Sequence, residues 1–448
     1  MPLACPLALA LTLAAAGPGP AFPYPIQRRT LPNGVQVVFV RQPTPGLAAF
    51  FTVFRVGSRD EVEPGRSGFA HFFEHLTFRG TRTRSGEEWE RMTRALGMES
   101  NAFTDDDITA YWLAGPAAAL PEVIELEADR FTNLDYSEDD FKVESRAVLG
   151  ELLKDLASPD FAVQEAGRSL AFTQHTYRHT TIGFEKDVRN MPTGYRYSLE
   201  LYRRFYRPDN AIVLVIGDFD EARTLEAIQA RYGAWRGSGD PVRVPVEPPQ
   251  TREKERRLTW PSPILPRCWS AWHTPSGGDA DATAAQLVLW PYLFGRASAL
   301  YRDLVLDRHL VEEIGGEFQA RRDPYLFGYE LLLKSAAAEK PARAAVEAAV
   351  AQVAAGRIDE RLLADVKANA LTGLVLQSDT PYRTGVWLAY FTGLTGDPGT
   401  LESIYGRVRR VSAADLAAFA RRWLVPANRT TVVVAASPAA DPRAEATR

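Results

Sequence analysis

Residues 68–81 read Gly-Phe-Ala-His-Phe-Phe-Glu-His-Leu-Thr-Phe-Arg-Gly-Thr. The chain has six His. Two of them, His71 and His75, stand four apart here, with Glu74 directly before the second. On a helix, positions i and i+4 share one face, so both imidazoles can reach one metal ion. Neutral imidazoles suit zinc, and a catalytic zinc keeps three protein ligands and one water. Glu74, one residue from His75, is turned away from the ligand direction and can serve that water as a general base. The plainer alternative is a helix carrying two surface histidines beside a glutamate.

H-x-x-E-H is the inverted form of the H-E-x-x-H zinc motif, and it needs a third ligand from elsewhere. The spacing predicts a helix over 138–156 with Ser137 as its N-cap. That helix carries Glu144 and Glu151, seven residues apart, which puts both on one side. Phe141, Val148, Leu149, Leu152 and Leu153 surround them. Two acids on or beside a buried stripe require a partner or a metal. The alternative is two solvated acids on an amphipathic helix.

Outward from these helices, alternation and turn residues predict strands at 27–31 and 35–40 about an Asn33-Gly34 turn, and another at 48–56. A helix is expected from about Ser67, another over 86–96 capped by Ser85, a strand over 101–113, a helix over 117–131 and a buried strand over 211–216. Residues 235–256 have a linker composition. The second half repeats the theme, with a strand at 269–273, a long helix at 279–308, a strand at 325–334, further helices and a strand at 430–435. One match is residue by residue. Arg203-Arg204-Phe205-Tyr206-Arg207-Pro208-Asp209-Asn210 and Arg421-Arg422-Trp423-Leu424-Val425-Pro426-Ala427-Asn428 each run into a Val-rich strand. Coincidence in a common helix-to-strand turn is one explanation, and tandem duplication is the better one. The fold class expected is α+β, two homologous domains (25–234 and 257–440), each a mainly antiparallel sheet packed against several helices, with a tail at 441–448.

Composition sets the outer limits. The 448 residues are 46% hydrophobic and 24% charged, which excludes wholesale disorder, collagen and coiled coil. A net charge of −4 gives no sign of nucleic-acid binding. Two cysteines, Cys5 and Cys268, exclude a disulfide framework and a thiolate zinc cluster. Residues 1–16 form an Ala/Leu-rich segment with an Ala14-x-Ala16 site, the pattern of a secretory signal peptide cleaved there or by about residue 21. The expected destination is export, most simply to a bacterial periplasm. No other apolar stretch is long enough to span a membrane.

Residues 68–81 over their full width resemble the zinc helix of the pitrilysin and mitochondrial-processing-peptidase family of inverted zincins. The resemblance runs from about Arg28 to Ala435. It implies that Glu151, 76 residues after His75, completes a zinc site with His71 and His75, and that Glu144 assists Glu74 in catalysis. Gly97-Met98-Glu99-Ser100-Asn101-Ala102-Phe103-Thr104, followed by Asp107, Thr109 and Tyr111, resembles the family's active-site edge strand. Asn101 and Ala102, with Phe103 beside them, match its substrate-binding positions, where an extended peptide adds as a strand. Thr181-Ile182-Gly183 is a further family-like fold marker.

The second half departs from the family. An Arg and a Tyr, seven apart, often hold the substrate carbonyl there, but the matching positions are Val305 and Glu312. Arg302, Arg308 and Tyr325 are near in sequence only. In some relatives a homologous, metal-free subunit supplies that pair. The chain therefore resembles the zinc-bearing member of such a heterodimer, a zinc metalloendopeptidase acting on peptides or unfolded polypeptides. The alternatives are a self-sufficient homodimer and a non-peptidase zinc-binding or assembly subunit.

Overall fold

The computed structural model describes residues 19–239 and 241–437. The expected signal segment and the tail at 441–448 lie outside them. The first half runs β1 (Ile26–Thr30), β2 (Gln36–Arg41), β3 (Leu47–Phe54), α1 (Phe69–Leu76), α2 (Gly86–Ala95), β4 (Glu99–Thr104), β5 (Thr109–Pro116), α3 (Leu120–Thr132), α4 (Glu138–Asp155), α5 (Pro159–Ala171), α6 (Glu185–Asn190), α7 (Tyr195–Phe205), β6 (Ala211–Gly217) and α8 (Glu221–Tyr232). The second runs β7 (Lys254–Trp260), β8 (Arg267–Thr274), α9 (Ala280–Phe294), α10 (Ala299–Tyr301) continuing as a π-helical turn (Arg302–Asp307), β9 (Val311–Phe318), β10 (Tyr325–Leu333), α11 (Glu339–Ala354), α12 (Glu360–Leu376), α13 (Pro381–Thr395), α14 (Thr400–Val408), α15 (Ala413–Trp423) and β11 (Arg429–Ala436).

The two sheets repeat one topology. The first is ordered β1-β2-β6-β3-β5-β4 and the second β7-β11-β8-β10-β9. Each has one parallel pair, β2 with β6 and β7 with β11, and is otherwise antiparallel. Setting β1 aside, strand answers strand across the two halves. The duplicated helix-to-strand turn is reproduced in its hydrogen bonding. Asn210 Nδ2 donates to Phe205 O at 2.9 Å and Asn428 Nδ2 to Trp423 O at 2.8 Å. Each bond spans five residues and caps the helix before its strand begins.

Local chemistry explains most element ends. Gly34 takes φ 99° in the β1–β2 turn, a region where a side chain is strained. Ser85 Oγ accepts from Glu88 N, and Ser137 forms a capping box with Asp140. Three expectations need correction, and one strand has no counterpart among them. Residues 101–113 are two strands, because Asp105 to Ile108 turn the chain and Asp105 N donates to Ile108 O at 2.8 Å. The helix expected over 279–308 ends at Phe294, since Gly295 is extended (ψ 160°) and its N–H closes on Pro291 O. Strand β9 was not foreseen; its Glu-rich, Gly-Gly sequence lacks apolar alternation, and only pairing with β10 defines it. Strand β7 begins at Lys254, inside the stretch with linker composition.

Both faces of each sheet are apolar. In the first sheet, Phe50, Phe54 and Val215 pack under Phe72, Phe73 and Phe141 of the domain's own helices. The opposite face, with Val38, Phe51 and Leu214, is covered by Leu388 and Phe391 of α13 and Ile404 of α14, from the other domain. The exchange is mutual. Val163 and Ala166 of α5 cover Trp269, Ala271 and Val432 of the second sheet. Helices α13 and α5 each bring a glycine against the sheet they cover. A Cβ on Gly385 would lie 2.0 Å from the Phe51 ring, and one on Gly167 2.9 Å from the Trp269 ring. Among the described residues no helix is long and apolar enough to cross a membrane.

Gly385→Ala should therefore destabilise the chain by about 1–3 kcal/mol through overpacking. Thermal denaturation checks this. An unchanged melting temperature would mean that α13 does not seat on β3 as described.

Candidate metal centre

Helix α1 begins without a side-chain cap from its own first residue. Gly68 precedes it at φ 91°, where an added Cβ would lie 2.4 Å from Ile182 O, so the 181–183 segment braces the helix start. The free N–H groups of the first turn are answered by Glu61, which accepts from Gly68 N at 2.8 Å and Ala70 N at 2.6 Å. A carboxylate here also meets the positive end of the helix dipole.

Helices α1 and α4 pack together and bring four predicted side chains into contact. His71 Nε2 lies 3.5 Å from Glu151 Oε2, and His75 Nε2 lies 3.6 Å from Glu151 Oε1. One donor atom from each of the three falls within 4.8 Å of the others. Tetrahedral zinc with bonds of about 2.0–2.2 Å needs donors roughly 3.3–3.6 Å apart, and the two histidine–Glu151 spacings fit the ion. Burial, with the charge of His75 second, pushes His71 down to about 4, which keeps it in the neutral, ligating form. The Glu151 side chain is 47% exposed while both histidines are recessed.

Glu144, expected to assist Glu74, stands behind His75. Its Oε2 lies 3.3 Å from His75 Nδ1, and its other oxygen pairs with Arg79. Bonding at Nδ1 fixes the ring and leaves Nε2 facing the other donors. That bond chiefly raises His75, burial opposing it. Burial raises Glu144, but His75 and Arg79 outweigh it and the net shift is downward.

Glu74 sits one turn along α1 and faces the first sheet. Thr104 Oγ1, at the end of β4, donates to Glu74 Oε2 at 2.6 Å. Burial raises the Glu74 carboxyl despite that bond. Thr104 received no role from the sequence, although it closes the quoted edge-strand motif. β4 is the outer strand of its sheet, and among the described residues no strand pairs with its far edge. Asn101 lies there, exposed, its Oδ1 accepting from Ala102 N at 2.8 Å. Ala102 packs toward the α1 side of the sheet and Phe103 toward the α13 side, as strand alternation requires.

The residues near the missing Arg/Tyr pair lie elsewhere. Glu312 pairs with Lys334 at 2.9 Å and Arg308 with Asp303 at 3.0 Å. Tyr325 is buried on β10 against Phe172 and Tyr177.

Comparison with known proteins agrees with this architecture. The chain is 33% identical over 205 residues to the zinc protease PqqE of Helicobacter pylori, a match covering 45% of this chain and 46% of that protein. It is 30% identical over 231 residues to an uncharacterized zinc protease of Streptomyces coelicolor, covering 52% of this chain and 50% of that protein. The chain thus spans about half the length of the curated relatives it matches. Among solved structures, a protease from Helicobacter pylori superposes with a TM-score of 0.86 at 24% identity, over 92% of this chain and 99% of that one. A peptidase M16 inactive domain from Pseudomonas fluorescens gives 0.82 at 14% identity, over 92% and 98%. At those identities the likeness is one of fold. Residues 36–183 match the model of insulinase (peptidase family M16), residues 198–370 match that of the peptidase M16 inactive domain, and the chain belongs to this family.

Proposed function

We propose that the chain is a zinc metalloendopeptidase that hydrolyses peptides or unfolded polypeptides. One observation carries the reading. His71, His75 and Glu151 converge beside a half-buried carboxylate, Glu74, that is tied to an edge strand. The names of the curated relatives, zinc proteases, support it.

Zinc, when held by His71, His75 and Glu151, supplies a Lewis acid that polarises the scissile carbonyl and acidifies a water molecule. Glu74 takes the proton of the attacking water and delivers it to the leaving amine. Thr104 Oγ1, donating to Glu74 Oε2, orients the carboxylate for that exchange. Glu144 holds His75 at Nδ1 and keeps its ligating nitrogen in place. An extended peptide pairs through its main chain with the free edge of β4, along Asn101, Ala102 and Phe103, so binding depends little on sequence.

We further infer that the chain is the zinc-bearing half of a heterodimer. Val305 and Glu312 occupy the positions of the carbonyl-holding pair, and Glu312 is engaged by Lys334. A homologous, metal-free subunit would supply the missing donors.

Glu74→Gln should retain one zinc per chain and lose about 10²–10⁴-fold in turnover of an unstructured fluorogenic peptide. Wild-type turnover in that variant would refute the mechanism. Glu144→Gln should keep the fold and weaken zinc binding about 10–100-fold, read by competition with a chelator. Equal affinity would remove Glu144 from the site. The purified zinc-loaded chain should cleave little until the homologous subunit is added. Strong chelator-sensitive turnover by the chain alone would replace the heterodimer with a homodimer.

A further inference from the structure

The turn between β4 and β5 is Asp105-Asp106-Asp107, three consecutive acids that the mechanism does not use. Asp105 is half-buried and the other two are fully buried. Asp106 is 0% exposed and Asp107 3%. Facing them is the loop between β9 and β10 of the other domain, Arg321-Arg322-Asp323. Arg321, 3% exposed, places Nη1 2.6 Å from Asp105 Oδ2 and Nε 2.8 Å from Asp106 Oδ2. Arg168 of α5 grips Asp106 from the other side, through Nη1 at 2.8 Å and Nη2 at 3.0 Å. Asp107 accepts from Tyr177 Oη at 2.7 Å and Arg322 N at 2.8 Å. Asp323 returns the contact, accepting from Arg59 Nε at 2.6 Å and lying 2.9 Å from His175 Nε2.

Charge is rarely buried unless it is paired, and a paired, hydrogen-bonded network is directional. This one joins two domains at a single turn. Both sides of the junction are stiff. Arg321 O accepts from Gly277 N at 2.6 Å, and Ala320 O accepts from Tyr390 Oη. The turn itself lies on the bare backbone of Gly57, where an added Cβ would be 2.3 Å from Asp105 O. The residue just before Asp105 is Thr104, which holds Glu74.

We propose that Arg321, from the domain without metal ligands, is a positioning residue for Glu74. By gripping Asp105 and Asp106 it fixes the turn, and through Thr104 it fixes the orientation of the Glu74 carboxylate. The domain that matches the inactive-domain model therefore contributes to the geometry of the reaction without touching substrate. The role of Glu74 as base rests on the peptidase reading above.

A double-mutant cycle tests this, with folded, zinc-loaded protein and, if turnover needs it, the homologous subunit present. Arg321→Met should lower kcat at least about ten-fold, since small misplacements of a reacting group are costly. Arg321→Lys should recover part of the loss, an ammonium keeping the charge but not the planar guanidinium. In a Thr104→Val background, Arg321→Met should cost less than about two-fold more, because the link is already cut. Losses that multiply, or an unchanged kcat, would overturn the proposal. Amide hydrogen exchange gives a readout independent of turnover. Arg321→Met should speed exchange about ten-fold over residues 104–108 and leave residues 69–76 unaffected. Unchanged exchange at the turn overturns the proposal. Absence of turnover in the wild type under every condition sinks the peptidase reading instead. If Arg321→Met does not fold, Asp105→Asn removes one arm at a partly exposed site and is read in the same way.

Discussion

Each sheet in this chain has two apolar faces, and its own domain covers only one of them. The second face must be shielded from water by something else, and here it is a helix lent by the other domain. Helices α13 and α14 close the first sheet, and α5 closes the second. The glycines at Gly385 and Gly167 allow those helices to approach aromatic rings so closely that no side chain would fit. The two halves are therefore not a pair of modules on a tether, and this rigidity is the frame on which the metal centre stands.

Within that frame the site is built by few elements. Helix α1 is pinned at its start by Glu61 and the Ile182–Gly183 backbone, so His71 and His75 face α4 with little freedom. Helix α4 then presents Glu144 and Glu151 two turns apart, one behind the histidines and one in front. The sheet contributes Thr104 and the free edge of β4. Three elements thus bring His71, His75 and Glu151, the Glu74 carboxylate and an edge strand into one place.

Most of the candidate metal centre could be read from the chain because its information is local or helical. Four- and seven-residue spacings survive translation from sequence to geometry with little context. The repeat of Pro-x-Asn turns was visible for the same reason, each being a self-contained helix stop. What escaped was long-range. β9 has an acidic, glycine-rich sequence that becomes a strand only against β10. The break at Asp105–Asp107 was hidden because Ile108, Thr109 and Tyr111 continue a strand-like composition. The role of those aspartates depends on arginines more than two hundred residues away, in a loop that nothing local marks. Family resemblance singled out Glu151 as the expected third ligand, where spacing alone left it level with Glu144.

The borrowed covering of the first sheet also bears on how the protein is made. All six strands of that sheet have been synthesised once residue 217 is added, yet α13 and α14 do not exist until residues 381–408 follow. Over that interval a growing chain carries an apolar surface, with Val38, Phe51 and Leu214, that has no native partner. Such surface invites aggregation while translation continues. The architecture that makes the finished protein rigid leaves its nascent form dependent on speed, or on a chaperone, to reach the last helices safely.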